Sequence, residues 1–312
     1  MKIDITSKQQ THYYCFGGFT IQSCISLPLN SPRKPTNLKA DVFIEWGSVP
    51  DELKTIISKG ALWESGHDEF IFWMQNVARY YIKSGQQVYI QPHPDSSERA
   101  IRNYLLGPVL GVLIHQQKKL PLHASSVSVG NESVAFSGMS GMGKSTLAGF
   151  LTKKRGYKLI ADDISAVEYI TNNYAVVYPG MPCIRLWEDA AETLQLKKEE
   201  YDRGIVKNKY HVPCPSGDSL QPVRLKSLYL LEDSRSSSGV TIEKLTGMRS
   251  VQAVQQATYR KKFIGGALRA REHFKYCAVI ANQIDVFVLK RPTDLELIDA
   301  TLDALEAHWR VL

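Results

Sequence analysis

Residues 1–94 alternate aromatic and β-branched positions with polar ones in short runs, and turn-forming residues separate the runs. Such alternation is typical of β-strands, because successive side chains of a strand point to opposite faces of a sheet. Gln75-Asn76 stands between two aromatic-rich runs and indicates a hairpin. The pattern predicts a small, mainly antiparallel sheet with strands at 19–25, 41–46, 69–74, 79–83 and 87–91.

Residues 96–117 are predicted to form one helix that follows this sheet. Asp95 or Ser96 can cap its start, and Glu98 lies in its first turn. The middle of the helix is apolar nearly all round, which indicates that it is buried. We therefore assign residues 1–118 to a β-rich domain with its linking helix and residues 119–312 to a second domain, in agreement with usual domain sizes.

The second half of the chain alternates strand-like and helix-like runs, which predicts an α/β domain. Strands are predicted at 123–129, 133–136, 159–161, 228–231 and 285–289, and a helix at 144–154 with Gly156 ending it. The last helix is predicted to begin after Pro292, with Thr293 and Glu296 forming a capping box.

A phosphate-binding loop stands between the strand at 133–136 and the helix at 144–154. The segment from Gly138 to Ser145 fits the pattern G-x-x-x-x-G-K-[ST] at every required position. The glycines let backbone N–H groups turn towards phosphate oxygens, and the N-terminus of the helix adds positive charge. Lys144 is expected to reach the β- and γ-phosphates, and the hydroxyl of Ser145 to bind Mg²⁺. The remaining predicted nucleotide-binding residues are Ser140, Gly141, Met142, Gly143 and Thr146.

Two adjacent aspartates, Asp162 and Asp163, end the strand at 159–161, which lies directly downstream of the helix that follows the loop. Strand ends in α/β sheets face the ligand crevice. Because neighbouring strand residues point to opposite faces, the two carboxylates are expected to have different roles. One can hold Mg²⁺, and the other can accept the proton of an attacking hydroxyl.

The run LHASSVSVGNESVAFSGMSGMGKSTLAGFLTKKRGYKLIADD, residues 122–163, resembles the catalytic core of HPr kinase/phosphorylase. That family carries a histidine-bearing strand, a G-x-S-G-x-G-K-S loop and a strand that ends in Ala-Asp-Asp, in this order. The resemblance implies a fold like that of phosphoenolpyruvate carboxykinase, ATP and Mg²⁺ as cofactors, and phosphorylation of a protein serine. It places His123 beside the phosphates, Asp162 on the metal side and Asp163 as the proton acceptor.

The chain also departs from that family. HPr kinases carry a Glu-Ile-Arg-Gly-x-Gly segment after the aspartates, whereas this chain has Cys183-Ile-Arg185-Leu-Trp187. The lost glutamate and glycines argue against the phosphorylase half-reaction. Arg185 is retained, and it either neutralises the transferring phosphate or forms a surface ion pair.

The N-terminal pattern is similar to that of a narrower group. FGGFTIQS at 16–23, followed by LPL at 27–29, looks like HPr-kinase-like proteins encoded with lasso-peptide biosynthesis enzymes. Some members of that branch phosphorylate a serine at the C-terminal end of the precursor peptide. This resemblance implies a peptide substrate, with the N-terminal domain helping to bind it. Members of the broader family form hexamers, so a homo-oligomer is possible.

The net charge and the basic residues of the chain indicate which classes of molecule it could bind. The net charge of +7 and the pI near 9.0 suit an anionic partner such as a nucleotide or an acidic peptide, or else serve solubility alone. Two basic groups stand out, and each is either a binding surface or a solvated face. They comprise Lys207, Lys209, Tyr210 and His211, and Arg260, Lys261 and Lys262. No aromatic-interleaved basic pattern favours nucleic acid as a partner.

The five cysteines include no CxxC pair, and their number is odd, which argues against a disulfide framework or a zinc site. The N-terminus has no apolar signal core, and the longest apolar run, 104–114, is too short to cross a membrane. We therefore expect a cytoplasmic protein. Besides a peptide serine kinase, two alternatives remain: a small-molecule kinase, and a nucleotide-binding regulator that transfers no phosphate. The sequence does not distinguish ATP from GTP.

Overall fold

The structure is a computed structural model that describes residues 11–32, 39–170, 174–197, 201–203, 209–214, 220–234, 239–265 and 267–312. Lys207, which belongs to one of the predicted basic groups, lies outside the described residues. The chain is a mixed α/β protein and divides into two compact units. The first unit comprises Met1–Pro121 and Tyr259–Tyr276, and the second comprises Leu122–Thr258 and Cys277–Leu312. This division differs from the predicted boundary at 118 mainly because the segment 259–276 groups with the first unit.

The first unit is built on one sheet of eight strands. The strands are β1 (His12–Phe16), β2 (Phe19–Ser23), β3 (Val42–Trp46), β4 (Ser58–Gly60), β5 (Trp63–Ser65), β6 (Glu69–Met74), β7 (Ala78–Lys83) and β8 (Gln87–Pro92). Their order is β1-β2-β3-β8-β7-β6-β5-β4. Strand β3 runs parallel to β2 and β8, and the other neighbours are antiparallel. The predicted, mainly antiparallel sheet is confirmed, and Asn76 turns the predicted hairpin in the left-handed conformation (φ 59°).

The predicted helix is present, but it is interrupted. It consists of α1 (Glu98–Tyr104), a wide π-helical turn (Leu105–Val109) and α2 (Leu110–Gln116). Pro108 lies inside the wide turn, where its missing N–H removes a helical hydrogen bond. The cap is Ser97 rather than Asp95 or Ser96, because the Ser97 hydroxyl accepts a hydrogen bond from the N–H of Ala100. The predicted burial is confirmed, since residues 105–114 are all buried.

The second unit contains a large mixed sheet and a small one. The strands that follow the first unit's sheet are β9 (Leu120–Leu122), β10 (Ala124–Val129), β11 (Glu132–Ser137), β12 (Lys158–Ala161), β13 (Ser165–Ile170), β14 (Tyr174–Val177), β15 (Cys183–Trp187), β16 (Asp202–Arg203), β17 (Lys209–Pro213), β18 (Val223–Asp233), β19 (Thr241–Leu245) and β20 (Asp285–Arg291). Strands β11, β18 and β20 are parallel neighbours, and β10 forms a hairpin with β11 and also pairs with β12. Strands β15, β17 and β16 form a separate sheet of three.

The remaining helices are α3 (Lys144–Lys154), α4 (Glu188–Thr193), α5 (Met248–Gln256), α6 (Ala267–Ala281) and α7 (Ile298–Trp309), with short 3₁₀ turns at Lys261–Ile264 and Leu295–Leu297. The core of the second unit packs α3 and α7 against the sheets through apolar side chains that are almost fully buried. Among the described residues, no helix is long and apolar enough to span a membrane.

The predicted hairpin at 123–136 and the helix at 144–154 are confirmed, and the left-handed Gly156 (φ 78°) follows that helix as expected. The predicted capping box of Thr293 and Glu296 is wrong. The carboxylate of Asp294 instead accepts a hydrogen bond from the N–H of Glu296 and caps a 3₁₀ turn before α7. Several elements were not predicted, because most of them are short and lack a clear period. They are strands β1, β4, β5, β9, β13 to β17 and β19 and helices α4 to α6.

Candidate active site

The loop between β11 and α3 is fixed by two glycines that no other residue could replace without movement. Gly138 (φ 152°) lies against β18, where an added Cβ would be 3.0 Å from the carbonyl oxygen of Leu231. Gly143 (φ 78°) begins α3, where a Cβ would be 2.4 Å from the Nη2 atom of Arg291. The left-handed region favours glycine, so both positions hold the backbone in a shape that suits phosphate binding.

Lys144 lies across this loop. Its ammonium donates hydrogen bonds to the carbonyl oxygens of Gly138 (2.8 Å) and Met139 (3.2 Å), and the residue is only 8% exposed. Burial lowers the pKa of the Lys144 ammonium, whereas the nearby carboxylates of Asp163 and Asp162 raise it. The lysine that the sequence assigned to phosphate binding is therefore close to both aspartates.

The other predicted loop residues surround the start of α3. Ser140 and Gly141 are exposed at the tip of the loop, and Met142 is half-buried. Ser145 and Thr146 lie in the first turn of α3, the former partly exposed and the latter buried. The hydroxyl of Ser145 therefore has access to a ligand at the N-terminus of the helix.

Arg291, at the end of β20, supports the loop and was not predicted. Its guanidinium donates hydrogen bonds to the carbonyl oxygens of Met142 (3.0 Å) and Pro292 (2.9 Å), and it is 2% exposed. Burial lowers its pKa, and the charge of Asp233 raises it. In the sequence, Arg291 is a single arginine at the end of an apolar strand. This pattern does not indicate that the arginine bonds to Met142, which lies 149 residues away.

Asp162 is buried, and both of its carboxylate oxygens accept hydrogen bonds. One carboxylate oxygen accepts a hydrogen bond from the hydroxyl of Ser125 (2.6 Å), and the other accepts one from the backbone N–H of Arg185 (2.9 Å). The residue is 3% exposed. Asp162 thus joins β10, β12 and β15, and Ser125 is a site residue that sequence reasoning missed.

Asp163 points in a different direction, because its backbone adopts the left-handed conformation (φ 71°), which aspartate tolerates better than most residues. Its carboxylate accepts a hydrogen bond from the guanidinium of Arg185 (2.9 Å), and its side chain is 21% exposed. The Nδ1 atom of His123 lies 3.0 Å from the Asp163 carbonyl oxygen and 3.4 Å from its carboxylate. The structure thus brings together three of the predicted catalytic residues.

His123 also connects this cluster to the loop. The hydroxyl of Ser137, the last residue of β11, donates a hydrogen bond to the carbonyl oxygen of His123 (2.9 Å). The histidine is itself about one-third exposed, at 35% of its side chain. Loop, histidine and Asp163 are therefore joined by direct contacts within the second unit.

The cysteine beside the site is not a nucleophile. Burial raises the pKa of Cys183 to about 12, and the charge of Asp162 adds to this effect. A thiol with so high a pKa stays protonated at neutral pH, and only the thiolate is reactive.

Of the two predicted basic groups, the first is split by the fold. Tyr210 is a core residue, 2% exposed, whereas Lys209 and His211 lie on the opposite face of β17. The second group belongs to the first unit, where Arg260 lies 5.5 Å from the ring centres of Tyr259 and Phe263.

The first unit contains a separate cavity of about 420 Å³. Phe70 and Phe263 form part of its wall, with ring centres 5.1 Å apart. His115 and His273 lie together in the same wall, with ring centres 6.4 Å apart, and burial lowers the pKa of each to about 4. The remaining lining residues are His67, Asp68, Val112, Gln116, Lys118, Lys119, Leu120, Ile264, Arg269, Glu272 and Tyr276.

No family model and no curated protein matches the chain. Among solved structures, the chain is similar to the Hpr(Ser) kinase/phosphatase from Coxiella burnetii, with 11% sequence identity. The match covers 61% of this chain and 90% of that one, with a TM-score of 0.33. At this TM-score the similarity carries no argument about function, which rests on the residues of the site.

Proposed function

We propose that the chain is an ATP- and Mg²⁺-dependent kinase that phosphorylates a serine hydroxyl of a peptide or small protein. The observation that carries the proposal is the position of Asp163. Its partly exposed carboxylate accepts a hydrogen bond from Arg185 and lies 3.4 Å from the Nδ1 atom of His123. The carbonyl oxygen of His123 accepts a hydrogen bond from Ser137, which directly precedes the phosphate-binding loop. A nucleotide-binding regulator has no need of such a carboxylate.

The residues of the chain support each step of a transfer. The loop N–H groups, the N-terminus of α3 and Lys144 would hold the phosphates. Asp163 would accept the proton of the serine hydroxyl while the serine oxygen forms a bond to the γ-phosphorus. The bond from that phosphorus to the β–γ bridging oxygen then breaks, and its electron pair leaves with ADP. Arg185, which donates a hydrogen bond to the Asp163 carboxylate, would offset the negative charge of the transferring phosphate.

The donor set fits Mg²⁺. In a phosphate-binding loop of this kind the ion binds through the Ser/Thr hydroxyl together with phosphate oxygens, and the partly exposed Ser145 hydroxyl at the start of α3 is a donor of that kind. Bound there, Mg²⁺ would neutralise charge on the phosphates. The assignment of Asp162 as the metal-side carboxylate stays a prediction. Because both its oxygens accept hydrogen bonds in a buried position, we propose that it acts by positioning Ser125 and Arg185.

The substrate class is proposed from the sequence resemblances. The core at 122–163 resembles that of protein serine kinases of the HPr type, and the N-terminal pattern is similar to that of kinases associated with lasso peptides. A serine near the C-terminus of a precursor peptide is therefore the proposed acceptor. The cavity of the first unit offers a binding place for an apolar peptide side chain, since its aromatic wall and neutral histidines suit such a group.

The proposal is tested by incubating the protein with γ-labelled ATP and Mg²⁺, first with serine-containing peptides and then with a metabolite mixture. We expect a phosphate mass shift on a peptide serine, lost in Lys144→Ala and kept in Lys244→Ala, which removes an exposed lysine. Transfer to a metabolite alone would establish a small-molecule kinase instead. Nucleotide binding without any phosphorylated product would establish a regulator.

A further inference from the structure

The three-stranded sheet β15-β17-β16 has one face in the core. Ile184, Leu186, Tyr210 and Val212 are each at most 2% exposed and belong to the core that packs around α3. The contact is close, because a Cβ added to Gly149 of α3 would lie 2.8 Å from the side chain of Leu186. The sheet is therefore anchored against the helix that begins at the phosphate-binding loop.

The opposite face of this sheet borders the candidate active site. In the β15–β17 ladder, Arg185 pairs with His211 and Trp187 pairs with Lys209. Directly opposed residues of an antiparallel pair lie on the same face, and so do residues two apart on one strand. Since Arg185 bonds to Asp163, the face that carries Trp187 and Lys209 is the one turned to the site.

Lys209 is held in place by an exposed aromatic ring. Its ammonium lies 4.5 Å from the ring centre of Trp187, which is 42% exposed although it is a large apolar residue. A cation over a tryptophan ring is attracted by the ring's negative face.

Lys209 adds a second positive charge to the face that carries Arg185. Its ladder partner Trp187 lies two residues from Arg185, whose guanidinium donates a hydrogen bond to Asp163. An anion bound beside Arg185 is attracted by both positive charges. The face is therefore suited to a phosphate group bound next to Asp163.

We propose that Lys209 is a further phosphate-binding residue of this site, positioned by Trp187, and that it contacts the terminal phosphate of a nucleoside triphosphate. The terminal phosphate is favoured because Arg185, on the same face, bonds to Asp163, the group assigned to the acceptor hydroxyl. This inference rests on the proposed function. It adds a specificity determinant, since a residue that contacts only the terminal phosphate distinguishes a triphosphate from a diphosphate.

The test compares the dissociation constants of Mg·ADP and Mg·adenylyl imidodiphosphate by calorimetry for the unaltered chain, Lys209→Met and Lys244→Met. Methionine keeps the length of the lysine stem without its charge. We expect Lys209→Met to weaken triphosphate binding about tenfold, a change of about 1.4 kcal/mol, and diphosphate binding less than about twofold. Lys244→Met, which removes an exposed lysine with a surface partner, is expected to change neither.

Two further variants separate a phosphate contact from a merely structural role. Lys209→Arg is expected to retain most of the preference for the triphosphate, and Trp187→Leu to lose part of it without weakening Mg·ADP. Equal weakening of both nucleotides in Lys209→Met, or no weakening of either, would overturn the inference while leaving the proposed function standing. Failure of the unaltered chain to bind any nucleotide would overturn the proposed function, and this inference with it.

Discussion

The active site of the second unit and the cavity of the first unit are built on different principles. In the active site, charged groups are held by backbone atoms or by opposite charges, and the loop adopts left-handed backbone conformations. In the cavity, aromatic rings and two histidines that are neutral at pH 7 form one part of the wall, and charged side chains such as Lys118 and Glu272 form another. The first arrangement is organised to hold developing charge, and the second to accept apolar surface.

The difference predicts where single substitutions are most damaging. Asp162→Ala would leave the Ser125 hydroxyl and the Arg185 N–H buried without their acceptor. We expect a loss of about 3–5 kcal/mol in the free energy of unfolding, measured by urea denaturation, because a buried network loses its charged member. Asp303→Ala, which removes a carboxylate that is 65% exposed, is the matched control and is expected to cost less than about 1 kcal/mol. Similar losses in both variants would contradict the buried role of Asp162.

The histidines of the cavity predict an acid sensitivity that the aspartate network does not explain. Their pKa values of about 4 lie below the ordinary 6.5, so protons bind preferentially to the unfolded chain. The contribution of the neutral histidines to the free energy of unfolding is therefore fully present above about pH 6.5. It is lost as the pH drops towards 4, by up to about 3 kcal/mol for each histidine.

The measurement is the free energy of unfolding against pH for the unaltered chain and for His273→Gln. The variant should show a shallower fall between pH 6.5 and 4. His67→Gln, which removes an exposed imidazole at the same cavity, should keep the slope of the unaltered chain. An unchanged slope in His273→Gln would show that this histidine does not become charged on unfolding.

Arg291 tests whether the loop depends on support from β20. Arg291→Met removes the hydrogen bond to the Met142 carbonyl, and we expect a loss of about 2 kcal/mol in stability together with weaker nucleotide binding. Arg224→Met, at a side chain that is 53% exposed, is the control for charge. Unaltered nucleotide affinity in Arg291→Met would show that the loop holds its shape by glycine geometry alone.

The smallest effect is expected at the rim of the cavity. Lys118 is exposed, and its replacement by alanine should change the KM for a peptide substrate by no more than about twofold, because an exposed charge contributes little. Replacing Phe263 by alanine in the same assay should raise the KM more strongly without changing the affinity for Mg·ATP. If Lys118 dominated instead, the cavity would recognise charge rather than apolar surface.

The parts of the fold and of the candidate site that depend on neighbouring residues could be predicted from the sequence. The hairpin at Asn76, the loop from Gly138 to Ser145 and the helix after it follow from neighbouring residues. Ser125 and Arg291 could not be found in this way, because their partners are 37 and 149 residues away. The cavity has no motif either, since its walls come from well-separated segments of the first unit.

The roles of the two aspartates illustrate the same limit. Strand alternation predicted that Asp162 and Asp163 would differ, but β12 already ends at Ala161. Their divergence depends on the left-handed backbone of Asp163 and on Ser125 and Arg185, which reach them from other strands. The local sequence pattern indicated that both aspartates belong to the site. Only the contacts with Ser125 and Arg185, which are distant in sequence, show that the two have different roles.

Asp163→Asn is the most direct test of the proposed chemistry. Asparagine tolerates the left-handed backbone and keeps a hydrogen-bond acceptor for Arg185, but it cannot take a proton. With a phosphorylated peptide as the readout in single turnover, we expect the transfer rate to fall by about 10²–10⁴-fold while the dissociation constant of Mg·ATP stays nearly unchanged. Transfer at the rate of the unaltered chain would contradict the assignment of Asp163 as the proton acceptor.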